Sequence, residues 1–334
     1  MPDIQRCVFA VADTPYCVWG WDIVNRNLRF LDGVDADYFI YIAETHLGHL
    51  EGERAQRASV ALRAAYHLSL ETFFSLIGAA LQAPDCVTGW VLKAQTGQVK
   101  DVAEALRRQR MPFPTKWKMD SPIFGFAEIA KAVLQCAAWA QGEDDKTVGH
   151  FAILWNRLAD DFLDENMRAE YNSIKHGFRA RPGGFSLRFG REREYGVRPP
   201  DDEMKLMGAS VFGTSFYGAE AVDGALKSGK DPHFMLRHHS LNWNPRVTAD
   251  RMVLTAMSIK NLLSFLAVAN GSSPEEVKYV RPPDPAAFDE PWRHPIGVTH
   301  TNMDSVVSEE NIVRYDREQL RQMLSSGGDD DKRA

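Results

Sequence analysis

Leu62-Arg63-Ala64-Ala65-Tyr66-His67-Leu68-Ser69-Leu70-Glu71-Thr72-Phe73-Phe74 decides the fold class. Leu62, Tyr66, Leu70 and Phe73, then Ile77 and Ala80, recur at three- and four-residue steps. That period marks one buried face of a long helix. The same spacing puts Arg63, His67 and Glu71 in a line along one edge of the apolar stripe, as a polar rim. The rim reads either as a solvated, salt-bridged ridge or as one wall of a site. The helix is expected over 53–81, with Pro84 ending it.

Outward from this stretch, helical patterns dominate. Asp35 or Asp37 is placed to cap a helix to about residue 50, and 89–110 reads as one helix closing in a basic run. Residues 111–122 form a Pro-broken loop, 124–140 a helix and 142–145 a turn. A helix over 147–163 carries Phe151, Leu154, Trp155, Leu158 and Phe162 on one side. A second helix, or its kinked continuation, stops at Gly177. Before all of these, the runs 18–23 and 28–31 around Asn25-Arg26-Asn27 suggest a β-hairpin. After Gly177 the texture changes: 185–189, 209–217 and 233–243 are strand candidates between Gly-rich turns. A strong helix over 248–270 follows, with Asn270-Gly271 as its C-cap. Residues 273–276 look like a short capped helix, 282–295 are irregular, and a last amphipathic helix spans 308–324. The reading is mainly α: an up-and-down helical bundle with an N-terminal β-hairpin and a small antiparallel β insertion before a C-terminal helix. The expected divisions are 1–34 (hairpin), 35–180 (bundle), 181–324 (sheet and C-terminal helices packing on the bundle) and 325–334 (a polar, disordered tail).

Composition narrows the function classes. The chain has 334 residues, 44% hydrophobic, which is ample for a core. Its net charge of −6 argues against binding nucleic acid by bulk electrostatics and leaves local basic patches open. The cysteines Cys7, Cys17, Cys86 and Cys136 are scattered with no CxxC pair, as for free thiols in a reducing cytoplasm. A signal peptide is not evident, and no apolar run of about 18 residues is seen, so no membrane association is expected. Phosphate loop, GxGxxG, GxSxG and HExxH patterns are missing from the sequence. His46 with His49 could present two ligands to a metal, but no well-spaced third follows. His238-His239 would point to opposite faces of a strand. No metal or cofactor is expected.

The best candidate site is Tyr171-Asn172-Ser173-Ile174-Lys175-His176-Gly177. Asn172 and His176 lie one turn apart and share a face, with Lys175 beside them. Gly177 allows a tight helix end, whose carbonyls favour a protonated His176. Arg179 and Arg181 add charge just beyond. An imidazole, an amide, an ammonium and guanidinium groups thus converge where a phosphate would be attracted. The bland reading is a C-capped helix whose His and Lys satisfy terminal carbonyls. Glu71, and with it Arg63 and His67, is expected to face this cluster across a helix pair.

The helix 62–74 and the segment 171–177 together resemble the HEPN (higher eukaryotes and prokaryotes nucleotide-binding) domains. The resemblance covers about 35–177. It implies an up-and-down helical bundle, a homodimer, and in many members a metal-independent ribonuclease whose signature is an Arg, often a following Asn, a short gap and a His. Asn172 and His176 match the Asn and the His. Tyr171 stands where the Arg belongs, and Arg168 lies further upstream than the family's gap. The resemblance implies His176 as acid or base, Asn172 as orienting group and Glu71 as positioning group. Lys175, Arg179, Arg181, Arg63 and His67 would contact phosphate, and RNA or a nucleotide would be the ligand. The alternative is a non-catalytic helical interaction or dimerisation module.

Overall fold

A computed structural model describes residues 5–20, 23–117, 123–140, 145–221, 234–293, 297–307 and 316–326. The fold is mainly α, with a substantial antiparallel sheet component. Strands β1 (Gln5–Val11) and β2 (Thr14–Gly20) form the N-terminal hairpin. Helices α1 (Ile23–Gly33), α2 (Asp37–Leu47), α3 (Ala55–Gln82), α4 (Val87–Lys93) and α5 (Thr96–Arg107) follow. Next come α6 (Phe126–Leu134), α7 (Asp145–Leu163) and α8 (Glu165–Lys175). Strands β3 (Arg181–Pro182), β4 (Ser186–Phe189), β5 (Lys205–Ala209), β6 (Gly213–Ala221) and β7 (Phe234–Asn242) precede the long helix α9 (Pro245–Ala269). Strand β8 (His300–Val307) and helix α10 (Arg317–Ser326) close the described chain.

The hairpin exists, but one step earlier than the sequence suggested. Asn25 to Asn27 is not a turn; it lies inside α1. Ile23, Asn27 and Leu31 are its buried residues, a four-residue period. Asn27 is buried because its amide donates to the Asp85 carbonyl and to Asn270 Oδ1, each at 2.8 Å. The expected helix over 89–110 is two helices. Gln95 and Gln98 make a capping box that starts α5 afresh. The short helix expected at 273–276 is a turn, in which the Ser273 amide bonds the Glu276 carboxylate. Helix α9 begins at Pro245, three residues before the expected start, because the Asn244 side chain caps it by accepting from the Arg246 amide. Asn270 and Gly271 end it as expected, with Gly271 at φ +100°. Strand β8 was not foreseen. The turn at 142–144, residues 118–122, the first half of the helix expected at 308–324 and the tail from 327 lie outside the described residues.

One apolar core runs from Cys7, Phe9 and Val11 of the hairpin through the helices to Phe288. Helices α3 and α9 pack together at its centre. Both are long and apolar enough to cross a membrane by length and composition, contrary to the sequence expectation. Gly52–Gln82 and Pro245–Ala269 are, however, 72% and 56% buried within the protein, as core helices are. A second, smaller cluster of Val60, Ala180, Phe216, Leu241 and Trp243 glues the sheet to the helices. That sheet has the order β3-β6-β7-β8, all antiparallel, with β4-β5 as a separate pair. The seam between the two apolar clusters is where charged side chains are buried.

Candidate functional site

Helix α3 lays Arg63, Tyr66, His67 and Glu71 along the edge that meets α8. Asp164 starts α8, its carboxylate accepting from the Met167 amide at 2.8 Å. One turn later the apolar face of α8 carries Glu170, with no exposed surface. Its carboxylate accepts Arg63 Nε at 2.8 Å and His67 Nε2 at 3.2 Å on one oxygen, and Thr214 Oγ1 of β6 at 2.6 Å on the other. Burial alone would push this carboxyl up. The Arg63 guanidinium, His67 and Thr214 overcome it and hold the group down at about 2. A carboxylate only accepts, so Nε2 of His67 carries the hydrogen and Nδ1 is left as an acceptor. Burial, aided by the Arg63 charge, lowers the His67 pKa and keeps the imidazole neutral. A parallel arrangement binds Asp161 at the end of α7: Tyr66 Oη donates to it at 2.5 Å and Arg251 of α9 at 2.9 Å. Burial, then the Asp161 charge, raises the Tyr66 phenol.

Two clefts flank this buried layer. The first, of about 400 Å³, lies between α3, α5 and α8 and is lined by His67, Glu71, Lys100, Arg168, Asn172 and His176, among others. Tyr171 and Lys175 also line it. Glu71 does not hold His176. It accepts Tyr171 Oη at 3.1 Å and pairs with Lys175 Nζ at 3.5 Å, and the Lys175 ammonium lies 5.3 Å from the Tyr171 ring centroid. The Tyr171 ring in turn stacks on His67 at 5.1 Å. Burial and then Glu71 push the Tyr171 phenol up, so it stays a neutral donor. His176 is the C-cap residue of α8, exposed, and its imidazole makes no hydrogen bond among the described residues. Its backbone amide bonds the Asn172 carbonyl, and Gly177 turns the chain away at φ +99°.

The residues singled out in sequence therefore divide. His67, Glu71, Asn172, Lys175 and His176 meet in one cleft. Arg63 does not open there; it lines the second cleft. Arg179 and Arg181 are exposed and line neither cleft. Three residues of the first cleft were passed over or set aside: Lys100, Arg168 and Tyr171 as a hydrogen-bonding wall. Arg168, Asn172 and His176 stand at successive turns of α8, which puts all three on one face. Its nearest anion is Glu165 at 3.8 Å, too long for a strong pair. Glu170 was also missed. Its signal was present: Met167 and Glu170 share the buried face of α8, so a carboxylate sits where the pattern calls for an apolar side chain.

His238 and His239 do point to opposite sides of β7, the first against Tyr217 and the second stacked on Phe216. Among the described residues no group of three potential metal ligands comes together. No protein-family model, curated protein or solved structure matches this chain.

Proposed function

We propose that the cleft between α3, α5 and α8 binds the phosphate of RNA or a nucleotide, and that His176 acts there as acid or base in metal-independent RNA cleavage. The observation that supports it most is the single face of α8 bearing Arg168, Asn172 and His176, all lining a cleft that also holds Lys175 and Lys100. Cleavage without a metal needs a group to move a proton and a cation for the charge that builds on phosphorus. His176 is exposed at the C-terminus of α8 and lines the cleft, within reach of a bound phosphate. Arg168 supplies the guanidinium that Tyr171 cannot, and Lys175 and Lys100 add charge. His67, kept neutral by burial, supports Tyr171 by stacking and adds no positive charge. The HEPN-like, up-and-down arrangement and the homodimer belong to this same proposal.

Binding is tested by fluorescence anisotropy of labelled single-stranded RNA in EDTA over a salt series. Arg168→Ala and Lys175→Ala are each expected to weaken binding and to lower the salt slope by about 1. Affinities indistinguishable from wild type in both variants contradict the proposal. The second reading, a non-catalytic binding or dimerisation module, is favoured by the pairing of Lys175 with Glu71 and of Arg63 with Glu170, which engages two of the cations. As a protein-interaction or dimerisation module it expects no RNA cleavage, and His176→Ala to cost stability or to change partner binding alone.

A further inference from the structure

The second cleft, of about 320 Å³, is lined by Arg63, Asp161, Trp243, Arg251, Trp292 and His300, among others. Arg63 is 6% exposed, yet only part of its guanidinium is satisfied. Nε is taken by Glu170, and one face lies 5.0 Å from the Trp243 ring centroid. Neither Nη has a hydrogen-bond partner among the described residues, and the 8% of the side chain that stays open borders this cleft. The outer edge of a guanidinium is a pair of parallel donors matched to two oxygens of one anion.

Arg251 completes the arrangement. It donates to Asp161 at 2.9 Å and to the Pro291 carbonyl at 3.1 Å, its face covers Trp292 at 4.7 Å, and its Nε is buried without a partner. The carboxylates of the cleft do not compete for Arg63. Asp161 is engaged by Tyr66 and Arg251, and Asp164 caps α8. Arg251 Nε is a buried donor without a partner and the Arg63 Nη groups open to the cleft, so an acceptor entering it would pair donors that the described residues leave unpaired.

We propose that this cleft binds a small molecule carrying an oxyanion, a carboxylate or a phosphate ester, gripped by the outer edge of Arg63. Its anion grip, Arg63, does not line the α8 cleft, and the proposal stands whether or not RNA binds there. The site also touches that cleft: the guanidinium that meets the oxyanion is the one that shares Glu170 with His67.

The test is calorimetric titration of the full chain with inorganic phosphate and, separately, with benzoate, in wild type, Arg63→Lys, Arg251→Lys and Lys175→Ala. Lysine at position 63 can serve Glu170 or the ligand but not present a fork. We expect at least one ligand to bind, Arg63→Lys to weaken it by about tenfold or more, and Lys175→Ala, in the other cleft, to leave it unchanged. The tighter of the two ligands assigns the oxyanion. Absence of binding by wild type at ~10 mM overturns the proposal. So does an affinity unchanged by Arg63→Lys, or one lost in Lys175→Ala. If Arg63→Lys does not fold, Arg251→Lys decides: weakened binding supports the site and unchanged binding overturns it.

Discussion

Glu170 shows how much one residue can organise here. Its carboxylate is fully buried and neutralises Arg63, so removing its charge leaves a largely buried guanidinium without its counter-ion. Glu170→Gln is expected to lower unfolding free energy by about 3–5 kcal/mol in urea titration. An effect below ~1 kcal/mol would mean that Arg63 is solvated well enough without it. The same group sets an acid dependence. Its pKa falls from 4.5 to about 2 on folding, so its stabilisation is complete above 4.5 and is lost as pH falls toward 2. His67 acts in the same direction. Its pKa is lowered from 6.5, so below 6.5 the unfolded chain takes up a proton that the folded one resists. Unfolding midpoints should therefore be flat near neutrality, begin to fall below 6.5 and fall further below 4.5; a midpoint unchanged down to pH 4 contradicts this. Arg63, His67 and Glu71 were legible as a rim from helical spacing alone. The anion they needed was not, because Glu170 is distant in sequence and only the fold brings it to α3.

At the scale of elements, α3 and the segments around it were the clearest in sequence, since a 28-residue amphipathic repeat leaves no alternative to a helix. Its close packing was not visible. Gly78 faces Trp90 of α4 so tightly that an added Cβ would lie 2.2 Å from the indole ring. Trp90 is itself fully buried and bonded through Nε1 to Gln82, so it cannot swing away. Gly78→Ala, although it improves helix propensity, is expected to destabilise by about 1–3 kcal/mol in the same urea assay, and a stabilised variant would refute this packing. The first hairpin and α1 were confused because both contain short apolar runs of strand-like residues, and periodicity over so few residues does not separate them. Helix α8 was read correctly to its end at Gly177. Its face bearing Arg168 was set aside only because a linear motif counts residues where a helix counts turns.

For the whole molecule, the sheet's docking on the helices matters most. It buries Thr214 against Glu170 and brings Trp243 onto Arg63. Nothing in the spacing of 181–324 revealed this, because strand pairing between distant segments leaves no local signal. The cleft on α8 carries the proposed chemistry. The measurement is a time course of RNA integrity with purified protein in EDTA, wild type beside His176→Ala, with circular dichroism and RNA affinity recorded for both. Wild type is expected to cleave, and His176→Ala to lose about 100-fold or more with fold and binding unchanged. RNA that stays intact with folded, RNA-binding wild type, or is cut equally by His176→Ala, contradicts that chemistry.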